Sequence, residues 1–471
     1  MSPFPQPFKS TVSHWQATNR GLNTLYNHGR DAPLPNEQVD YVIIGAGMTG
    51  ASLAYALTRP GVVPGAQIVV LEAKDVASGA SGRNGGHVAP WSFASWALIV
   101  RPIGAPGGIG LSPEEGLKVL KVERDNLAYV EQVVQENQWA VDFWKGEKLE
   151  VAETDQEVEF MREAYKGWLE AMAQSEKFKN VQPDWTFIDN PEEAEKISRI
   201  KGAKAVSKGT AGSVHPHKLA THFLRAALES GQVELFSWAP VEKFEEDQEG
   251  GWTVDVGPRG VVRTRQIIVC TDGHTPHLFP DQLIAKHVTP YQSQAANVTP
   301  PPSYSGASAL KYSIVAERGP YLIQTPHAGI VLGLGRETGF DLGITTEEDI
   351  YGLTDDSYVK PEIGQWLSDY CKNNFIEWGE EAPGEGAVRI WSGVNCASRD
   401  RLPLVGPVPD RPGLYIAAGF HGHGMARIPH TTRCLAKMIS TARWDCRLPR
   451  SYEITTERLE RAQTAPKYNL E

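Results

Sequence analysis

Unbroken apolar runs and helical periods alternate along this chain. Val39-Asp40-Tyr41-Val42-Ile43-Ile44 predicts a strand buried on both faces, of the kind found in parallel sheets. Ser112-Pro113-Glu114-Glu115 is a capping box with proline first in the helix, and it opens a period through Leu117, Leu120, Leu127 and Val130. A second helix is expected from about Asp155, with Val158, Met161, Tyr165, Trp168 and Met172 on one face. Asn190-Pro191-Glu192-Glu193 carries a similar start signal, and Leu219 to Leu228 is amphipathic. Strands then crowd together at Val233–Phe236, Val241–Glu245, Trp252–Val256 and Val261–Val269. The last two are joined as a hairpin by Gly257-Pro258-Arg259-Gly260. Residues 285–340 again predict strands, including Tyr321–Gln324 and Ile330–Leu334. Leu414–Ala418 is a strand followed by a glycine-rich turn and a helix through Leu435, Met438 and Ile439. Residues 1–38 are polar and turn-rich, and suggest an arm lying over a domain.

The glycines give the first chemistry. Gly45-Ala46-Gly47-Met48-Thr49-Gly50 follows the first strand directly and opens the helical stretch Ala51–Thr58. In such a G-x-G-x-x-G turn the first glycine permits the tight bend and the second lets a pyrophosphate reach the backbone. The third lets the helix pack on the strand. The helix N-terminus then offers N–H groups and a positive dipole end to phosphates. Arg59-Pro60-Gly61 stops the helix, and a second strand, Gln67–Leu71, ends in Glu72, placed to accept hydrogen bonds from an adenosine ribose. The alternative is a glycine turn with no ligand; the order of strand, glycines, helix, strand and acid favours an adenine dinucleotide. NAD and FAD are not separated by this unit alone. The segment Ser78-Gly79-Ala80-Ser81-Gly82-Arg83-Asn84-Gly85-Gly86-His87 tips the balance, because its bare backbone can lie against a planar ring. A flexible surface loop is the bland alternative.

Composition narrows the field. The chain has 471 residues, 41% hydrophobic and 22% charged, which fits an ordinary globular protein of several domains. Lys+Arg number 46 and Asp+Glu 57, a net charge of −11, so nucleic acid and anionic membranes are not expected partners. The five cysteines are scattered without a C-x-x-C pair, which argues against a metal site or a disulfide scaffold. The run Met1–Ser10 lacks the apolar segment of a signal peptide, and no apolar run is long enough for a membrane span. A soluble, cytoplasmic protein is expected, with no particular oligomeric state implied.

Val42 to Gly50, Glu72 and the Ser78–His87 loop together resemble the FAD-dependent D-amino-acid-oxidase superfamily, in its branch of glycine, sarcosine and γ-glutamylputrescine oxidases. The resemblance continues at Val214-His215-Pro216-His217-Lys218-Leu219 and at Ile267-Ile268-Val269-Cys270-Thr271-Asp272-Gly273. It ends with Trp391-Ser392-Gly393, Arg399 to Gly406 and Leu414 to Met425. It implies an α/β fold: a discontinuous Rossmann-like FAD domain (39–100, 206–275, 386–445) and a substrate domain on a mainly antiparallel sheet (101–205, 276–385). The arm 1–38 and a tail 446–471 flank them. It also implies that FAD is bound by Gly45 to Gly50, Glu72-Ala73-Lys74, Ser78, Gly79, Ser81 to His87, Val241, Thr271, Gly273 and the turn Gly419-Phe420-His421-Gly422-His423-Gly424-Met425. A helix N-terminus after that turn would stabilise negative charge at the flavin's N1–C2=O edge. His421 and His423 would lie near the ring or substrate, or be turn residues satisfied by backbone. Arg336 would pair with a substrate carboxylate, or be a solvated strand end. Tyr291 and Gln292 are expected on a strand facing the ring.

Two departures stand out. Val331 occupies the position where sarcosine-oxidase-like members carry an oxygen-activating lysine, and Ala426 the position of their substrate-binding lysine. Cys396 and His87 are offset from known covalent attachment points, so non-covalent FAD is expected. The function implied is oxidation of a C–N bond in an amine or amino acid. A hydride passes to flavin N5, the imine product hydrolyses, and O2 as acceptor gives H2O2. The alternatives are a dehydrogenase or tailoring enzyme that acts on a larger secondary amine and uses another acceptor, and a non-catalytic dinucleotide-binding protein.

Overall fold

The computed structural model describes residues 10–21, 24–280, 282–316, 320–327 and 329–468. The strand Val39–Ile44 sits at the centre of the first sheet, between Val261–Val269 and Ile68–Leu71, with Val233–Phe236 and Leu414–Ala418 outside them. All these pairings are parallel. Leu404–Pro407 closes one edge antiparallel, and the hairpin Lys243–Glu246/Trp252–Asp255 hangs from Val261–Val269. Val42, Ile43 and Ile44 are buried, as a two-sided strand requires. Val241 precedes the strand expected to include it.

The second sheet runs in the order Gly386–Ser398, Val288–Thr299, Gly329–Gly333, Tyr321–Thr325, Tyr312–Ala316, Trp144–Ala152, Ala205–Ser213 and His87–Val88, with Trp185–Ile188 on Ala205–Ser213. It is antiparallel except where Tyr312–Ala316 meets Trp144–Ala152. Ala205–Ser213 and Gly386–Ser398 pair here, whereas the expected boundaries at 206 and 386 gave both to the FAD domain. Motif order suggested those boundaries; hydrogen-bond pairing assigns the strands to the other sheet.

The helix signals act largely as their chemistry dictates. Ser112 Oγ accepts from Glu115 N–H to start Pro113–Glu136, while the Glu115 carboxylate turns to Ser451 N–H and Lys118 instead of closing a capping box. Thr154 and Glu157 make the reciprocal capping box of Asp155–Gln174. The arm 1–38 is more than a cover. Trp15, on the short helix His14–Thr18, is buried with Ala295, Val331 and Trp391. Val331 thus stands in an apolar cluster.

Candidate active site

The backbone of the first glycine loop is held by contacts that admit no side chain. Gly45 has φ +102°, and a Cβ there would meet Cys270 O at 2.7 Å. A Cβ on Gly50 would lie 1.8 Å from Gly45 O, so helix Met48–Leu57 packs on the strand only because Gly50 has none. Gly47 caps this helix without a side-chain bond, and Met48 N–H donates to Ser81 Oγ at 2.6 Å. The second loop is thereby tied to the first. Glu72 accepts Ala46 N–H at 2.7 Å and Lys74 N–H at 2.9 Å; burial raises its carboxyl above the usual range and these bonds oppose the rise.

The second loop is braced from behind. Arg83 is buried, donates to Ser78 O and Ser392 O at 2.8 Å, and lies 3.4 Å from Asp356. It is a strut of the loop and does not line the cavity, contrary to its expected cofactor contact. Asn84 folds back onto Ala80 O, Ser81 O and Gly86 N–H, and Trp15 Nε1 donates to Asn84 O at 2.6 Å.

The C-terminal turn closes the opposite side. Asp272, at φ +43°, accepts Gly419 N–H and Phe420 N–H at 3.0 Å, so two distant family-like segments are bonded directly. His421 Nδ1 accepts Ser398 N–H at 3.0 Å. The helix expected right after the turn starts at Ile428, because a 3-10 turn, Gly424–Ala426, intervenes. His423 Nε2 lies 3.1 Å from Glu123 Oε2, and Arg427 Nε donates to Glu123 Oε1 at 2.7 Å. Burial pushes Glu123 upward, yet His423, Arg427 and the Trp91 N–H bring it down to about 2.

These segments enclose a cavity of about 510 Å³. Gly45, Gly47, Met48, Thr49, Glu72, Ala73, Lys74, Ser78, Gly79, Ser81, Asn84, Gly85 and His87 line it, as do Val241, Thr271, Gly273, Tyr291, Phe420, His421, Gly422, His423, Gly424 and Met425. Ala46, Gly50, Gly82, Gly86 and Gly419 stand behind the wall and shape the backbone. Gln292 turns away to Asp355 O and Gln294. Arg336 opens the helix Arg336–Asp341 instead of ending a strand; its side chain lies outside the described residues. Ala426 also lines the wall.

Several lining groups escaped sequence reasoning. Lys148 is buried, donates to Pro90 O and Glu150, and stands near His87. Tyr321 lines the cavity too, unforeseen; Trp91, which as an apolar residue after the second glycine loop was open to burial or an entrance lining, and Asp272, from the segment Ile267–Gly273, line it as well. Glu123, behind His423, had one visible signal: a charged residue inside the apolar stripe of its helix.

The cavity fits an adenine dinucleotide on its own evidence. It joins a helix N-terminus whose cap residue, Gly47, has no side chain to bond it, a first loop whose Gly45 and Gly50 exclude a Cβ, and the Glu72 carboxylate. His87 Nε2 is buried with no hydrogen-bond partner, its Nδ1 being engaged by Ser313 Oγ at 2.8 Å. Burial, then Lys148 and His423, push His87 down to about 3, so it is neutral. Among the described residues no cluster able to hold a metal ion occurs, and no helix is long and apolar enough to cross a membrane.

Comparison with known proteins gives the same direction. The tRNA 5-methylaminomethyl-2-thiouridine biosynthesis bifunctional protein MnmC of Polaromonas sp. is 24% identical over 396 residues, covering 82% of this chain and 54% of that protein. Mitochondrial dimethylglycine dehydrogenase of Rattus norvegicus is 21% identical over 431 residues, covering 88% and 44%. The chain therefore spans about half the length of these two relatives. The crystal structure of glycine oxidase from Geobacillus kaustophilus superposes with a TM-score of 0.68 at 17% identity, covering 89% of this chain and 99% of that one. The family profile described as FAD dependent oxidoreductase matches residues 40–438, and the chain belongs to that family.

Proposed function

We propose that this protein oxidises a C–N bond of a small amine or amino acid, with FAD held non-covalently in the 510 Å³ cavity. The observation that carries this reading is one continuous wall. It joins the two glycine loops and Glu72 to the Gly422–Met425 turn and His423. Glu72 would hold the ribose, the N-terminus of Met48–Leu57 the pyrophosphate, and Gly85, His87 and the C-terminal turn the ring. When bound, FAD supplies a ring that takes up two electrons from the substrate. Cys396 supports non-covalent binding: it is fully buried, its Sγ donates to Asp272 at 3.1 Å, and it does not line the cavity. The first sheet and its helices would form the FAD domain, and the second sheet would cover the substrate.

O2 is the acceptor we favour. The apolar packing of Val331, where oxidase-like members carry a lysine, supports a second reading in which another acceptor serves. Both are tested by mixing the FAD-loaded protein, without oxygen, with glycine, sarcosine, N,N-dimethylglycine and L-proline. At least one amine should bleach the flavin absorption. Admitting air should restore it within the turnover time; recovery only with a dye selects the second reading. A flavin that no amine bleaches contradicts both.

A further inference from the structure

The wall around His423 contains a hydrogen-bonded charge cluster assembled from three distant segments. Glu123 lies on the long helix Pro113–Glu136 with its side chain wholly excluded from solvent. Its Oε1 accepts from Arg427 Nε at 2.7 Å; its Oε2 accepts from Trp91 N–H at 2.5 Å and faces His423 Nε2 at 3.1 Å. Arg427 lies over the Trp91 ring, 4.1 Å from its centroid, and the other ring near Trp91 is His423, at 5.3 Å. Of the three ionisable groups in this assembly only His423 keeps partial exposure, 25%, and it borders the cavity.

We propose that Glu123 is a positioning residue that fixes His423 as its Nε2–H tautomer, leaving Nδ1 as the base that removes a proton from the substrate's ammonium group. An ionised carboxylate can only accept hydrogen bonds, so the proton between it and His423 belongs to Nε2. Nδ1 then carries the lone pair. In the step, a substrate N–H bond breaks, the proton moves to Nδ1, and the electron pair stays on nitrogen, where oxidation at the adjacent carbon needs it. The imidazolium formed is stabilised by Glu123, as a buried carboxylate stabilises a histidine base elsewhere.

The charges around His423 keep this base ready. Glu123 and Arg427 face it from two helical segments, Lys148 from its strand with Glu150 attached, and His87 from the edge of the second sheet. Burial, with Arg427 and Lys148, lowers the His423 value, and Glu123 opposes them. The result is a neutral imidazole at neutral pH that a carboxylate still orients.

This inference rests on the proposed amine oxidation, but one test reads it independently. In 15N-histidine spectra of the FAD-loaded protein, assigned with H423N, the wild type should show a protonated Nε2 and a lone-pair Nδ1 at neutral pH. In E123Q the amide oxygen should stay with the Arg427 cation and the NH2 turn to His423, moving the ring proton to Nδ1. E123D should keep the wild-type tautomer. A wild-type Nδ1–H or doubly protonated ring, or an E123Q spectrum unchanged from wild type, overturns the proposal. With an amine from the panel that bleaches the flavin, E123Q should slow bleaching about 100-fold near pH 7. The deficit should close as pH approaches the amine's own pKa, and E123D should recover part of the rate. A deficit independent of pH would mark a structural role and overturn the proton assignment. If no amine bleaches the protein, the proposed function fails while the spectra still decide the tautomer.

Discussion

The glycine-loop end of the cavity and the wall around His423 are built on opposite plans. At the first, Gly45, Gly47, Gly50, Glu72 and Ser81 come from one short stretch of chain, and backbone N–H groups do the bonding. At the second, side-chain charges meet across sequence separations of about 300 residues, as with Glu123 and Arg427. A local backbone site is specified by residues that must be absent: side chains at the glycines. A non-local charged site is specified by partners that must all be present, because a buried charge left alone is expensive.

The largest effect should come from removing one partner in the wall. R427A leaves the fully buried Glu123 carboxylate without its guanidinium partner. Breaking such a pair should destabilise the protein by about 3–5 kcal/mol, read as a lowered midpoint in chemical denaturation. A change below about 1 kcal/mol would mean that Trp91 N–H and His423 suffice to hold the carboxylate, and the contrast between the two regions would blur.

At the loop end the matching variant is G50A. Its Cβ would stand 1.8 Å from a backbone oxygen that cannot turn aside, so strand and helix must separate. Overpacking of this kind should cost about 1–3 kcal/mol by thermal or chemical unfolding, with weaker FAD retention alongside. Stability equal to wild type would show that the helix slides freely on the strand.

E72A should act on the cofactor more than on the fold. Removing a charged acceptor should weaken FAD retention about 10- to 100-fold, measured by ultrafiltration against free FAD, with the amine profile unchanged. Full occupancy in that variant would break the ribose assignment.

Acid should act on both regions at once. Burial, chiefly, pushes His87, His215, His217 and His274 down to about 3, 2, 4 and 3. Their unfolded values lie near 6.5, so between about pH 6.5 and 4 the unfolded chain binds more protons than the folded one. The stability they contribute is complete above about pH 6.5 and declines as pH falls through this window. Denaturation midpoints from pH 8 to 4 check this; a midpoint constant to pH 4 would mean these rings are solvated.

The same contrast explains what was legible in the sequence. Strand Val39–Ile44, its glycine turn and Glu72 are neighbours in sequence, and their spacing carries the geometry. Pattern also marked the helices at Pro113 and Pro191 by their caps, and the one at Asp155 by its apolar face. Arg83 was visible within the glycine-rich loop, but not its inward turn to Ser392 and Asp356, which depends on chain hundreds of residues away. Lys148 escaped for the same reason: its strand gives its position, and only pairing across the second sheet brings it beside His87. The strands at 205–213 and 386–398 followed family order in sequence but hydrogen-bond partners in space.

The central claim is that this cavity holds FAD, and the visible absorption spectrum of the purified protein after incubation with FAD tests it most directly. Bands near about 370 and 450 nm should persist through gel filtration and move to the supernatant on acid precipitation. A protein that stays colourless after reconstitution would contradict the account.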